Sequence, residues 1–181
     1  GTSTDIALIR DGRPSLSDGK SVANARIALP SLDIVTLGAG GGSLGRLDPA
    51  GLLAVGPESA GAVPGPACYG QGGTEPSVTD ANLVLGRIDG EKPLGTLQRL
   101  DVEAARAAIA REIAEPLGLD VMAAAEAIVK IANARMAGAI RLVSIERGHD
   151  PAKFMAMPFG GGGALHAGAL IHEVGLKGAL V

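Results

Sequence analysis

Residues Phe154 to Ala167 read F-M-A-M-P-F-G-G-G-G-A-L-H-A, and this stretch decides how the rest of the chain is assembled. A short apolar run passes into four consecutive glycines, Gly160, Gly161, Gly162 and Gly163. These open a segment, Ala164 to Val174, whose apolar positions recur at helical spacing. The spacing predicts strand, loop, helix. Glycine has no side chain and tolerates positive φ, so a phosphate or sugar can come close to the backbone while the first helical amides point at it. Each such helix-end interaction is worth only about 0.3 to 1 kcal/mol, so the loop orients an anionic ligand more than it holds it. Tight packing of a strand-to-helix turn explains the same glycines, and both readings stand at this point.

Immediately upstream, Ser144-Ile145-Glu146-Arg147-Gly148-His149-Asp150-Pro151 gathers charge and leads straight into the strand, which brings Glu146 or Arg147 toward the site; a solvated helix terminus is the plain alternative. Before it, residues 101 to 147 read as a helical half. Asp101 caps one helix through about Glu115, where Pro116 and Gly118 stop it, and Asp120 caps a second. In the second, Ala125, Ile128, Val129, Ala132, Met136, Ala139, Ile140 and Val143 fall on one stripe at three- and four-residue steps. That stripe is a core face built for close packing onto a sheet.

The first half is different in kind. Asp5 to Arg10 is apolar enough for a buried strand, Asp11-Gly12-Arg13-Pro14 is a turn, and further strands fit Val22 to Ala28 and Asp33 to Leu37. Gly38-Ala39-Gly40-Gly41-Gly42-Ser43 partly matches a dinucleotide-binding fingerprint. That fingerprint needs a helix on its last glycine, whereas Leu44 to Val55 holds Asp48-Pro49-Ala50-Gly51, a turn between two short strands, so the Rossmann reading fails here. A backbone loop lining a cleft and a plain structural turn remain. From Gly56 to Thr79 the chain is nearly all loop punctuation, and a long ordered loop inside a domain is usually functional. Ser77 or Thr79 caps the helix that follows, and Gly86 ends it.

Composition narrows the function. The 181 residues suffice for one substantial core, and 28 Gly with 2% aromatics mean that it is built from Ala, Leu, Ile and Val. A net charge of -3 offers no basic stripe, and Tyr69, Phe154 and Phe159 are the only rings for stacking, which argues against nucleic acid. No apolar run reaches the ~18 residues of a membrane span. One cysteine, Cys68, makes no intrachain disulfide, so a reducing cytoplasm is the default and the thiol reads as a small buried residue. His149, His166 and His172 lack metalloprotease spacing, so zinc is not expected. The fold class is α/β.

The strings Gly1-Thr2-Ser3-Thr4-Asp5, Asp33 to Ser43, Val55 to Gly61, Pro64 to Gly70, Gly73 to Pro76, Thr79 to Asn82, Glu146 to Pro151 and Phe159 to Ala167, in that order, resemble the hydantoinase A/5-oxoprolinase family along the whole chain. Members use ATP to open cyclic amides such as hydantoins and 5-oxoproline, and relatives include subunits of acetone-type carboxylases. The resemblance implies an actin-like, ribonuclease-H-like ATPase fold closing over ATP and Mg2+ or another divalent ion. It implies that the hairpin Gly1, Thr2, Ser3, Thr4 and Asp5 holds the outer phosphates, with Thr2 and Asp5 in catalytic roles. It further implies that Gly160 to Gly163 and His166 cradle the adenosine, and that Gly40, Gly41, Gly42, Glu58 and Ser59 line the cleft. The metal ligands stay unassigned. A hydantoinase B-type partner and a small cyclic amide substrate go with this reading. Transfer of phosphate to the amide oxygen makes a better leaving group, a step that the protein serves by positioning and charge stabilisation.

Three departures stand out. Val35 lies where the family usually has His, so a contact from that side chain is absent or supplied elsewhere. The glycine loop usually carries Ala at Gly162 and Pro at Ala164, and losing that proline loosens the helix start. The chain also begins inside the hairpin and stops just inside a strand. It is therefore expected to be one domain cut from a larger subunit, with a strand-rich hairpin region (1–55), a long loop (56–79), a helical part (80–151) and a closing strand, loop, helix and strand (152–181).

Overall fold

The computed structural model describes residues 1–22 and 25–181, and for 20–22 and 25–27 the backbone alone. The strand expected at Val22 to Ala28 therefore falls partly outside the described residues. Among the described residues, twelve short strands and five α-helices follow one another. The strands before the first helix are β1 (Thr4–Ala7), β2 (Ile9–Arg10), β3 (Arg13–Pro14), β4 (Leu16–Ser17), β5 (Lys20–Val22), β6 (Ala25–Ile27), β7 (Ser31–Leu32), β8 (Ile34–Leu37), β9 (Ser43–Leu47) and β10 (Leu53–Ser59). The helical half holds α1 (Val78–Val84), α2 (Val102–Ile109), α3 (Glu115–Leu117) and α4 (Val121–Val143). The chain then closes with β11 (Met155–Ala156), α5 (Gly163–Val174) and β12 (Gly178–Ala179).

The strand expected over Asp5 to Arg10 is split and largely exposed. Leu8 breaks it: the Leu8 side chain is buried while its carbonyl accepts from Ser15 N at 3.1 Å, outside any ladder. β1 instead pairs antiparallel with β8, Thr4 opposite Leu37 and Asp5 opposite Thr36, and β2 turns back on β3 through Asp11 and Gly12. Asp48 to Gly51 is the turn of the β9–β10 hairpin, so a strand and not a helix follows the first glycine run. Strand β10 reaches Ser59, which shortens the expected loop.

The three helix caps are the expected ones. Ser77 Oγ accepts from Asp80 N at 3.3 Å, Asp101 Oδ1 from Ala104 N at 2.9 Å, and Asp120 Oδ1 from Ala123 N at 2.8 Å. Each satisfies an amide that the first helical turn leaves free. Between α2 and α3 the chain widens into a π turn over Ala110–Ala114, so Pro116 sits inside the last turn and Gly118, in the left-handed region, ends it.

Helix α4 is the spine. It packs against α1, α5, β10, β1 and β8, and its stripe of Ala125, Ile128, Val129, Ala132, Met136, Ala139 and Val143 is buried, with Ile140 half-buried. The face meets two helices and two antiparallel strand pairs rather than one broad sheet. At one contact the small residue is on the strand: a Cβ on Gly45 of β9 would lie 3.2 Å from Ile128 Cγ1, so strand and helix are already in contact. At the far end, β11 and β12 run parallel and α5 connects them. Among the described residues no helix is long and apolar enough to cross a membrane.

Candidate active site

The glycine run at Gly40, Gly41 and Gly42 brings the chain's opening residues into one cluster. Gly42 N donates to Gly1 O at 3.0 Å, and Thr4 Oγ1 donates to Ala39 O at 2.6 Å. Across the β1–β8 pair, Thr36 Oγ1 donates to Asp5 Oδ1 at 2.6 Å. The β10 bulge carries Ser59 to the same place, where its Oγ lies 3.4 Å from Thr2 Oγ1. Side chains on the three glycines would collide with this assembly. A Cβ would come within 2.6 Å of Gly1 O from Gly40, 2.8 Å of Thr79 Oγ1 from Gly41, and 2.7 Å of Ser59 Oγ from Gly42. Close approach of the Gly1 backbone and of the Thr79 and Ser59 hydroxyls thus accounts for this run. Thr2, Ser3, Asp5 and Glu58 remain exposed around it, an edge of hydroxyls and carboxylates open to solvent.

Two residues behind the cluster carry no site signal of their own in the sequence. Thr79 gives both its amide, at 2.8 Å, and its hydroxyl, at 2.9 Å, to Gly41 O. Asp80 is fully buried, and its carboxylate accepts from Cys68 N at 2.8 Å, Ser77 N at 2.8 Å, Ser77 Oγ at 2.7 Å and Ala67 N at 3.3 Å. The capping box of Ser77 and Asp80 is a sequence signal, but it marks a helix start and gives no hint of the Ala67–Tyr69 turn folded over it. Burial, helped by the Asp80 charge, raises the Cys68 thiol well above its usual range, which keeps it protonated and unreactive.

The second glycine run has a different character. Gly160 adopts φ +83°, which favours glycine. Gly161 and Gly162 do not, and a Cβ on either would meet nothing within 4 Å. Gly162 caps α5 without a side-chain acceptor, so the first-turn amides are left to other partners. One turn in, His166 is 3% exposed and its Nδ1 lies 2.6 Å from Asn133 Oδ1 of α4. Burial, then the nearby Arg87 charge, lowers the His166 pKa, so the ring is neutral with Nδ1–H donating. The end of α4 and the turn after it tie to elements of both runs: Arg141 of α4 donates to Glu173 O in α5, and Arg147 of the Ile145–Arg147 turn pairs with Asp33 just before β8. Arg147 therefore braces the residue before β8, the strand that pairs with β1. Among the described residues no group of three or more His, Cys, Asp or Glu side chains forms a metal cage.

The hydantoinase/oxoprolinase family model matches residues 1–181. The chain belongs to that family. The caprolactamase subunit alpha of Pseudomonas jessenii is 49% identical over 181 residues, which is 100% of this chain and 26% of that protein. Among solved structures, the ATP-dependent caprolactamase from Pseudomonas jessenii superposes with a TM-score of 0.89 at 48% identity, covering 98% of this chain and 26% of that one. A nucleotide-free acetone carboxylase gives the same TM-score of 0.89 at 31% identity, over 100% of this chain and 26% of that one. This family chain therefore spans about a quarter of the length of the relatives it matches.

Proposed function

We propose that the protein to which this chain belongs is an ATP-dependent hydrolase that opens a cyclic amide, and that these residues supply part of an actin-like nucleotide site. The observation that carries the reading is the contrast between the two glycine runs. Gly40 to Gly42 are used up by packing, whereas Gly161 and Gly162 face open space at the start of a 12-residue helix whose first amides no side chain caps. Glycines that neither φ nor packing requires fit a surface that a ligand approaches closely, and helix-start amides favour an anion. In this reading the turn takes the nucleotide while the hydroxyls of Thr2 and Ser3 hold its outer phosphates. Asp5, fixed by Thr36, orients the attacking group. A magnesium ion carried by ATP keeps much of its water and needs only one or two carboxylates, so exposed Asp5 fits it without a protein cage. That ion neutralises phosphate charge when bound. The chain's own task is to place hydroxyls and amides around the transferring group.

Phosphorylating the amide oxygen turns a poor leaving group into a good one, which is the reason an unstrained ring requires ATP. The identity to a caprolactamase subunit, at 49%, favours the amide over the ketone, although an acetone carboxylase shares the fold equally well. Because that caprolactamase relative is a subunit alpha, a hydantoinase B-type partner completes the proposed assembly. The test is turnover by the complete assembly, with nucleotide release followed in parallel. Lactams, a hydantoin and 5-oxoproline are expected to stimulate ATP consumption. Stimulation only by a ketone with bicarbonate would replace the hydrolase with a carboxylase, and no ATP consumption with either would end both readings.

A further inference from the structure

We propose that Thr79 is a positioning residue for the phosphate-holding hairpin, acting through the Gly41 carbonyl; this rests on the nucleotide reading above. The geometry forms a relay of short contacts. The Asp80 carboxylate, with four donors, pins the first turn of α1 in the interior. From that fixed turn Thr79 sends two hydrogen bonds to one acceptor, Gly41 O. The hydroxyl also fills the space where a Gly41 side chain would stand, 2.8 Å from that Cβ position, so the loop lies directly against it. The next amide, Gly42 N, holds Gly1 O, and the preceding residue, Gly40, lies with its Cβ direction 2.6 Å from the same oxygen. The hairpin that starts at Gly1 therefore stands where Gly41 stands, and Gly41 stands where Thr79 puts it. Thr79 itself is buried and spends its hydroxyl on Gly41 O, which is why it positions rather than reacts.

Valine keeps the branched shape and loses the donor, whereas serine keeps the donor. In the complete enzyme, Thr79→Val is expected to raise hydrogen exchange at the Gly42 amide about tenfold, the worth of one lost buried hydrogen bond. It should lower kcat about tenfold while leaving the KM for ATP within about twofold, because misplacing phosphate contacts costs rate and leaves the separate Gly160–Gly163 turn intact. Thr79→Ser should restore both readouts. Should Thr79→Val not fold, Gly41→Ala probes the same contact from the other side, its Cβ driven against the Thr79 hydroxyl, with the same split expected. Unchanged Gly42 exchange, or faster exchange with unchanged ATP-dependent kcat, overturns the role of Thr79 alone. Wild-type turnover that needs no ATP overturns the functional reading and this role with it.

Discussion

Replacing Asp80 with asparagine tests the interior relay at its root. The carboxylate is fully buried and accepts four hydrogen bonds, one oxygen serving Cys68 N and the other serving Ser77 N, Ser77 Oγ and Ala67 N. Asparagine matches its shape but offers one acceptor edge and one donor edge. With the amide group toward Ser77, the amides of Ser77 and Ala67 face a donor; flipped, Cys68 N does. Either way at least one backbone donor is orphaned, at about 1 to 3 kcal/mol, and the remaining bonds lose their charge assistance, so about 2 to 4 kcal/mol is expected. The Ala67–Tyr69 turn is the part released, and Cys68 within it reports the release. Its thiol is fully buried, so labelling by a thiol reagent proceeds from the opened form. A loss of that size multiplies the open population by roughly 30 to 1,000. The assay is the rate of Cys68 modification, read by mass spectrometry of its peptide, in Asp80→Asn against wild type. Labelling of both proteins in urea serves as the intrinsic reference. A rise of less than about threefold would refute the claim that Asp80 holds this turn.

Three further expectations follow from the same geometry. Gly40→Ala pushes a methyl to 2.6 Å from Gly1 O and should cost about 1 to 3 kcal/mol, whereas Gly162→Ala, with open space, should stay within about 0.5 kcal/mol; urea unfolding compares them. Ile128→Ala removes a fully buried side chain from the α4 stripe where β9 rests on it, and a loss of about 2 to 5 kcal/mol is expected by the same measurement. His166 titrates below its ordinary value because burial disfavours the charged ring. Below about pH 6.5 the unfolded chain takes up a proton that the folded one refuses, so stability falls as pH drops from 6.5 toward the lowered pKa, by up to about 1.4 kcal/mol per pH unit. His166→Gln should flatten that part of the stability profile, and an unchanged slope would remove burial of a neutral ring as its cause.

The helical half is legible in the sequence because its signals are local. Asp101 and Asp120 sit one residue before their helices, and the stripe from Ala125 to Val143 repeats at the helix period. The π turn at Ala110–Ala114 leaves no comparable mark, since widening one turn changes no residue type. In the first half the partners lie far apart in sequence. β1 pairs with β8 some thirty residues on, so Leu8 can leave the ladder and the expected continuous strand is broken. The two glycine runs look alike on paper. Only the distances to Gly1, Ser59 and Thr79 separate a run that packing demands from one that faces open space. Asp80 is hidden for a related reason: a capping-box acid is ordinarily at the surface, and here the Ala67–Tyr69 turn closes over it. The Arg147 cluster was readable as a candidate, and its partner Asp33, 114 residues away, was not.

The claim on which the functional reading depends is that the turn from Gly160 to Gly163 receives the nucleotide. Gly161→Val places a branched side chain where no atom of the chain lies within 4 Å, so the fold is left alone and a ligand approaching the backbone is not. Isothermal titration of Mg-ATP into the complete wild-type and Gly161→Val enzymes measures this directly. The expected result is an affinity at least about tenfold weaker in the variant, equivalent to about 1.4 kcal/mol, with an unchanged melting temperature. Equal affinity in the two proteins would contradict it.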